Sequence, residues 1–298
     1  MKKVFALILA AMMMVSLFAG CGSQDAGSAA SDKAYSEMTI EELKPLLKTL
    51  EEGKLTMVTS PDFAPYEFYA LDDNGKPTLA GFDIALAQYI ADYLDLKLEV
   101  IPMDFDGTIS ELTSKKADIG MAGYSPDPAR EKVMNFSAVY YTGGQSFVTV
   151  SDKAELFPDL TAANKAEYQI GAQLGSIQAK LAKENTPDAD IIELSKVTDI
   201  IAELLGGKLD GAFIETVPAK AYAAKYPQLS LVLDVPYDAE GSVIGVNKDN
   251  EALLAAVNLA IKAAQEDGSL AQFVADANEL AAGDKFEGLL DENGQVTE

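Results

Sequence analysis

The 298-residue sequence contains no histidine and one cysteine, Cys21. Without histidine the chain cannot form a Ser-His-Asp triad, use an imidazole as acid or base, or bind zinc through histidine. A single cysteine excludes an intramolecular disulfide, so the fold must rest on its hydrophobic core. No Walker-type phosphate loop is present. We therefore expect no metal and no cofactor, which leaves carboxylate or lysine chemistry for any catalysis.

Positive charge is scarce. The chain has 23 lysine and arginine residues against 47 acidic residues, a net charge of −24 at pH 7. Such a chain repels nucleic acid and anionic lipid headgroups. We expect no nucleic-acid partner.

Arginine occurs once, as Arg130. A guanidinium is a rigid planar fork that holds a carboxylate through two parallel hydrogen bonds, which a lysine cannot reproduce. Either this position needs that geometry, or the residue forms a chance surface ion pair. The surrounding sequence has to distinguish the two.

The N-terminus has the pattern of an export signal. Lys2 and Lys3 precede an apolar run of about 15 residues, which is short for a membrane span of about 20 and typical of a signal peptide. The run ends in small residues before Cys21 and resembles a bacterial lipobox, although Phe18 stands where leucine is usual. We predict a lipoprotein signal peptide over residues 1–20 and lipidation of Cys21. An ordinary secretory signal with an incidental cysteine is the alternative.

Residues 21–53 are predicted as a tether and a short helix. The stretch 22–36 is rich in Gly, Ser, Ala and Asp without an apolar period, which indicates a flexible linker. Thr39 and Glu42 form a capping-box pattern that would start a helix running to about Leu50.

From Leu55 onward, short apolar runs alternate with helical patterns. A helix is expected from Asp83, as its N-cap, to Leu94, and two more over 250–282 with a break at Asp267-Gly268. This alternation predicts an α/β fold of parallel sheets with helices on both faces. The candidate strands are 55–59, 98–101, 118–121, 146–150, 168–172, 191–194, 210–214, 231–233 and 242–246.

A weak internal repeat suggests two similar halves. Residues 111–118 (ELTSKKAD) align without gaps with 203–210 (ELLGGKLD), and coincidence in an alanine- and leucine-rich chain is the alternative. If the repeat is real, Gly123 and Glu215 occupy equivalent places after equivalent strands, the edge where open α/β sheets bind ligands. Arg130 on one side and Glu215 on the other would suit a zwitterion.

Short motifs in a fixed order carry a family resemblance. They are residues 60–68 (SPDFAPYEF), 81–84 (GFDI), 103–107 (MDFDG), 122–130, 135–144, 175–176 and 210–215 (DGAFIE). Together they resemble the extracellular solute-binding proteins of family 3, which serve amino-acid ABC transporters. Ala85 and the Pro126-Asp127-Pro128 run depart from the family pattern, but neither is a predicted ligand contact.

The resemblance implies a fold of two doubly wound α/β lobes joined by two hinge strands, the type II periplasmic-binding-protein architecture. The expected boundaries are 54–143 plus 238–285 for lobe 1, 144–237 for lobe 2 and 286–298 for a C-terminal tail. Hinge crossings are expected near 142–145 and 234–238, where Gly143 and Gly144 would absorb the motion.

The resemblance also implies a clamp for the backbone groups of an amino acid. Arg130 matches the arginine that holds the α-carboxylate, with Ser125 and Ser176 as helpers. Gly123 matches a backbone contact to the α-ammonium, and Glu215 matches the acid that pairs with it. Both serines could instead only cap turns or helices, and Glu215 could be a solvated charge.

The side-chain pocket is less defined. Phe63 and Phe105 match two aromatic residues that sandwich the ligand side chain, or they are core aromatics. Ser60 replaces the acid common in members that bind basic amino acids, and Ala122 with Gly123 looks closer to glutamine-type members. Gln173 is a candidate polar contact. A polar amino acid is expected, and a cationic one stays open because Asp62, Asp104 and Asp106 lie near these positions in sequence.

The implied function is capture of a free polar L-amino acid in an interlobe cleft and its delivery to a membrane permease of an ABC importer. We expect a monomer, lipid-anchored at the cell surface or in the periplasm. The alternatives are an exported dehydratase-like enzyme on the same fold, with Glu215 as its acid, and a sensory ectodomain.

Overall fold

A computed structural model of the chain describes residues 33–72, 74–238 and 241–283. The strands are β1 (Lys54–Thr59), β2 (Asp62–Phe63), β3 (Glu67–Leu71), β4 (Pro77–Ala80), β5 (Lys97–Pro102), β6 (Ile119–Gly120), β7 (Met134–Phe136), β8 (Gln145–Val150), β9 (Gln169–Gln173), β10 (Asp190–Leu194), β11 (Gly211–Glu215), β12 (Leu229–Val235) and β13 (Gly245–Asn247). The helices are α1 (Ile40–Leu43), α2 (Phe82–Tyr93), α3 (Phe105–Thr113), α4 (Leu160–Ala163), α5 (Ile177–Asn185), α6 (Val197–Leu205), α7 (Thr216–Lys225), α8 (Glu251–Glu266) and α9 (Ser269–Ala282).

The first lobe is built on a five-stranded sheet in the order β5-β1-β6-β13-β7. Strand β1 pairs in parallel with β5 and β6, and α2 and α3 pack against it. Helices α8 and α9 pack on α2 in turn. A small antiparallel sheet, β2-β3-β4, leads into α2.

The second lobe has a matching sheet in the order β10-β9-β11-β8-β12. Strand β9 pairs in parallel with β10 and β11, while β8 lies antiparallel between β11 and β12. Helices α5 and α6 pack on β9 and β11, and α7 packs on β8, β11 and β12.

Parallel pairs are present in both sheets as predicted, but each sheet also contains antiparallel strands and is therefore mixed. Strands β8 and β13 enter their sheets directly from the other lobe. Parallel neighbours need a crossover connection, whereas a strand arriving this way can pair antiparallel. The two crossing segments run side by side: Gln145 pairs with Val235, and Tyr141 forms a bridge with Ser242.

Two helix starts differ from expectation. Helix α2 has Gly81, not Asp83, at its N-cap, because the buried Asp83 carboxylate accepts a bond from the Gly123 N–H instead. The Thr39–Glu42 capping box is confirmed, but α1 ends at Leu43 and tightens into a 3-10 turn containing Pro45, which cannot donate an N–H to continue it.

Other expected features are at or near their predicted places. The break between α8 and α9 lies at Gly268, which is left-handed (φ 82°). The end of the predicted flexible linker differs, because Tyr35–Glu37 form a 3-10 turn. In the described ranges, no helix is long and apolar enough to cross a membrane. The predicted signal peptide, Cys21 and the tail at 286–298 lie outside these ranges.

The internal repeat is real in three dimensions. In the first lobe Lys116 Nζ donates to Glu111 Oε1 (3.1 Å), and in the second Lys208 Nζ donates to Glu203 Oε1 (2.8 Å). The aspartates that end the two segments also match. Asp118 accepts from the N–H of Thr56 in β1 (2.8 Å), and Asp210 accepts from the N–H of Gln169 in β9 (3.0 Å). Each segment connects a helix to the strand that pairs with β1 or β9.

Gly81 tests the joint between the small sheet and α2. Its φ is 118°, and a Cβ there would lie 2.1 Å from the Tyr66 carbonyl oxygen. We expect Gly81→Ala to lower the free energy of unfolding by at least about 2 kcal/mol, because backbone strain adds to the clash. Gly75→Ala is the control, since Gly75 also has positive φ (75°) but meets no atom within 4 Å. It should cost about 1 kcal/mol. Urea unfolding followed by circular dichroism measures both, and equal losses would contradict this account.

Candidate functional site

The candidate residues lie after the strands whose ends face the seam between the lobes. Ser60 follows β1, Gly123 follows β6, Ser176 follows β9, and Glu215 ends β11. The carboxyl ends of parallel strands form the ligand-binding edge of open α/β sheets. Direct bonds join the two edges in this structure, so the lobes are closed on each other.

Arg130 is buried at this seam, with 9% of its surface exposed. Its Nη2 donates to the Gly175 carbonyl of the second lobe (2.9 Å), and its Nη1 donates to the Ser125 carbonyl (3.4 Å). The guanidinium lies 5.5 Å from the ring centre of Phe105 and 5.9 Å from that of Tyr124. Burial lowers the pKa of Arg130.

The bonding of this guanidinium is incomplete for a buried cation. Across the described residues, no carboxylate oxygen lies within 4.0 Å of Arg130 to form an ion pair. Its two bonds to neutral carbonyls use part of a group with five N–H donors. Buried charges are normally paired, so the site is suited to an anion brought from outside.

Glu215 supplies the opposite charge from the second lobe. It is 5% exposed and caps α7: its Oε2 accepts from the Val217 N–H (2.7 Å), and its Oε1 accepts from the Gly144 N–H (3.2 Å). Burial raises the pKa of Glu215 to about 8, against the stabilising effect of these two N–H groups, Lys220 and the Tyr66 hydroxyl.

Gly143 brings the hinge against this carboxylate. A Cβ at Gly143 would lie 1.8 Å from Glu215 Oε1 and 3.2 Å from the Tyr66 hydroxyl. Glycine is therefore required here for close approach, in addition to any flexibility it gives the crossing.

A cavity of about 60 Å³ lies beside Glu215. It is lined by Ser125, Gly143, Gly144, Gln145, Glu215, Val235, Tyr237, Gly241 and Ser242. Because the Ser125 carbonyl accepts from Arg130, the buried cation lies next to one wall while the buried acid forms another.

The profile described as "Bacterial extracellular solute-binding proteins, family 3" matches residues 55–276. The chain belongs to this family.

Three relatives illustrate the breadth of the family. The arginine-binding extracellular protein ArtP of Bacillus subtilis (strain 168) is 32% identical over 275 residues, covering 91% of this chain and 95% of ArtP. A 1.05 Å structure of the substrate-binding protein AbpA from Streptococcus pneumoniae bound to L-arginine has a TM-score of 0.75 and 30% identity, covering 82% of this chain and 99% of AbpA. Cyclohexadienyl dehydratase of Pseudomonas aeruginosa is 26% identical, covering 76% and 82%.

The family 3 fold places Phe63 and Phe105 on the first-lobe side of the seam, each 7% exposed. Phe63 lies against Gly123, where a Cβ would come within 2.7 Å of its ring and where φ is +55°. Phe105 packs edge-on to Tyr124 (5.8 Å) in a buried cluster that includes Ala122. The two rings are thus held in place, and their contact with a ligand stays a prediction.

Ser176 caps a helix in this family 3 chain. Its hydroxyl accepts from the Ala179 N–H of α5 (3.1 Å) and donates to the Gln173 carbonyl (2.6 Å). The side chain is therefore engaged within the second lobe. Its predicted bond to a ligand carboxylate is untested.

Sequence reasoning noted Asp62 only as an acid near the pocket in sequence and missed its bonds to the second lobe. Ser60 Oγ donates to Asp62 Oδ1 (2.7 Å), and Gln173 Nε2 donates to Asp62 Oδ2 (3.1 Å), so two predicted ligand contacts point at this acid. Burial raises the pKa of Asp62 to about 6, opposed by the bonds from Ser60 and Val197. Its place in the SPDFAPYEF motif was the only available signal, because its partners come from another lobe.

Two further buried acids lie in the first lobe, and one of them accepts a hydrogen bond from Gly123. The Asp83 carboxylate accepts from the Gly123 N–H (3.3 Å), and burial raises the pKa of Asp83 to about 6. Glu67, fully buried nearby, has a pKa well above its usual value because of burial and the neighbouring charge of Asp83. The motif GFDI marked Asp83 in sequence, but only as a helix cap.

Proposed function

We propose that this chain is the solute-binding component of an ABC importer and that its ligand is a free L-α-amino acid with a cationic side chain, such as arginine. The observation that carries this proposal is Arg130, a buried guanidinium whose described partners are neutral carbonyls, across the seam from the buried acid Glu215.

The α-carboxylate is assigned to Arg130. A planar guanidinium can bind a carboxylate through two parallel N–H bonds, and such charge-assisted pairs are about twice as strong as neutral ones. The rings of Phe105 and Tyr124 hold the fork in place and favour its charge. Ser125, whose carbonyl already orients the guanidinium, lies on the wall of the cavity.

The α-ammonium is assigned to Glu215. A carboxylate is costly to bury without a cation, and the raised pKa of Glu215 expresses that cost. A ligand ammonium would supply the missing charge. Gly123 is assigned a backbone contact to the same group.

Acids at the seam support a cationic side chain. Burial raises the pKa of Asp199 of the second lobe, the charge of Lys196 opposes this, and the charge of Asp104 of the first lobe raises the pKa further. Asp106 also faces the second lobe: a Cβ on Gly175 would lie 3.2 Å from its Cβ. The absence of an acid at Ser60 counted against a basic ligand, and we weigh Asp104 and Asp106 above it because both lie on the first-lobe side of the seam. ArtP and AbpA add support by what their names say they bind.

A second candidate is a dehydratase-like enzyme on the same fold. The relative from Pseudomonas aeruginosa favours it, as does Glu215, which with a pKa of about 8 is mostly protonated at neutral pH and could donate a proton. We favour binding because Glu215 is the only carboxyl group among the described residues that line the cavity, and its oxygens are held by two backbone N–H groups.

The proposal extends to the export, the anchoring and the lobe boundaries of the chain. We propose that residues 1–20 are removed, that Cys21 is lipidated and anchors the protein at the cell surface or in the periplasm, and that the body works as a monomer. The lobes are assigned to 54–143 plus 238–285 and to 144–237. The apolar run before Cys21 and the adjacent crossing strands at Gln145 and Val235 support these assignments.

A thermal-shift panel tests the ligand class. We expect L-arginine to raise the unfolding temperature most, with lysine and ornithine next and glutamine weaker, and mass spectrometry should recover the ligand unchanged. At 100 times its Kd a ligand adds about 2.7 kcal/mol of stability. A response to glutamine alone would reject the cationic side chain, and turnover of a bound compound would favour the enzyme.

Arg130→Lys tests the carboxylate clamp. The lysine keeps the charge but loses the fork, so we expect arginine affinity to fall by at least about tenfold, measured by calorimetry. Lys132→Ala is the control, because it removes an exposed cation from the same 3-10 turn. Unchanged binding by Arg130→Lys would contradict the assignment.

Glu215 predicts proton release on binding. Its pKa of about 8 should fall when an ammonium arrives, so binding at pH 7 should release up to about one proton, seen as a dependence of the calorimetric enthalpy on the buffer. Protonated Glu215 has no charge to offer the ammonium, and affinity should therefore rise as the pH increases from 6 towards 8. Glu215→Gln should bind more weakly, without proton release. A wild-type protein that releases no proton would show that Glu215 faces no ligand cation.

A further inference from the structure

Asp62 of the first lobe is bonded by three separate elements of the second. Gln173 at the end of β9 donates from Nε2 to Oδ2 (3.1 Å), and the Val197 N–H at the start of α6 donates to the same oxygen (2.5 Å). From α7, the Tyr222 hydroxyl donates to the Asp62 carbonyl (2.9 Å). Asp62 is thus a point where several parts of the second lobe converge.

Helix α6 lacks a cap of its own. Its N-cap is Lys196, which makes no side-chain capping bond, and a lysine cannot accept from the free N–H groups of the first turn. Asp62 supplies the acceptor from the other lobe. A carboxylate at a helix N-terminus also interacts favourably with the helix dipole. Within the second lobe alone, no side chain of the N-cap residue bonds to the free N–H groups in the first turn of α6, and water must solvate them.

Asp62 is held in position by its own lobe. Its N–H donates to the Ser60 carbonyl (2.8 Å), Ser60 Oγ donates to Oδ1 (2.7 Å), and it pairs with Phe68 in the β2-β3 ladder. The carboxylate is presented as a fixed group, and both of its oxygens are already occupied by protein donors.

We propose that Asp62 is the closing residue of the receptor, a positioning residue that caps α6 across the seam only when the lobes meet and so sets how long a ligand is retained. When the lobes separate, its carboxylate and the first turn of α6 return to water. The capping bonds therefore stabilise only the closed form. Ligand release must break them, whereas ligand entry into the open form does not need them.

The test is therefore to measure the rates of ligand release and ligand association separately. The use of L-arginine as the ligand rests on the proposed function. We expect Asp62→Asn to release L-arginine about 10- to 100-fold faster in stopped-flow measurements, the range for losing hydrogen bonds to a charged group. Association should change by less than about twofold. Small-angle scattering of the ligand-free protein should show a larger radius of gyration for the variant, since its closed form is less populated.

Tyr222→Phe and Asp159→Asn sharpen the test. Tyr222→Phe removes only the hydroxyl that reaches the Asp62 carbonyl, so it should also speed release, by a smaller factor. It carries the test if Asp62→Asn fails to fold by circular dichroism. Asp159 caps α4 within the second lobe (2.9 Å from the Ala162 N–H), so Asp159→Asn makes the same carboxylate-to-amide change at a cap that does not cross the seam. It should leave release unchanged.

The outcomes separate this inference from the ligand assignment. Unchanged release and scattering in Asp62→Asn would overturn the closing role, as would slower association with normal release, which indicates a direct ligand contact. If L-arginine binds none of the proteins but the scattering shift is present, the ligand assignment fails and the closing role stands.

Discussion

Burial of charge at the seam between the lobes is the constraint on which this protein depends. Arg130, Glu215 and Asp62 are each at least nine-tenths buried, and each reaches the seam from a strand end or the loop after it. A charge removed from water is expensive unless it is paired. Both carboxylate oxygens of Asp62 accept hydrogen bonds from protein donors. The Arg130 guanidinium donates its hydrogen bonds to two neutral carbonyls, and the pKa of Glu215 is raised in spite of its N–H donors, Lys220 and the Tyr66 hydroxyl. These two groups are the ones to which we assign a zwitterionic ligand.

The repeated architecture explains why these charges meet. Segments 111–118 and 203–210 make the same lysine–glutamate and aspartate–backbone bonds. Each segment is followed by a strand whose carboxyl end faces the other lobe. The two crossing segments then hold these edges opposite each other. Gly143 is part of this joint, since any side chain there would collide with Glu215.

The roles that we propose in binding and in closure fall on different residues of one motif. In SPDFAPYEF, Phe63 lies on Gly123 beside the clamp, while Asp62, one residue earlier, turns to the second lobe and caps α6. Adjacent residues in a strand point to opposite faces, so one short strand can serve both the ligand and the moving lobe. A protonated acid at the seam would be able to donate a proton to a bound molecule, and one relative of the chain is an enzyme.

The sequence by itself determined the α/β class, the alternation of elements, the repeat and the family, because these depend on local periodicity and on motifs in order. It also singled out Arg130 and Glu215 through composition and position. Only the tertiary structure decided the antiparallel places of β8 and β13, the burial of Asp83 under Gly123 instead of at a helix cap, and the contacts of Asp62 with the second lobe. Its partners Gln173, Val197 and Tyr222 lie more than 100 residues away in the chain. No local pattern records a contact that exists because two lobes close.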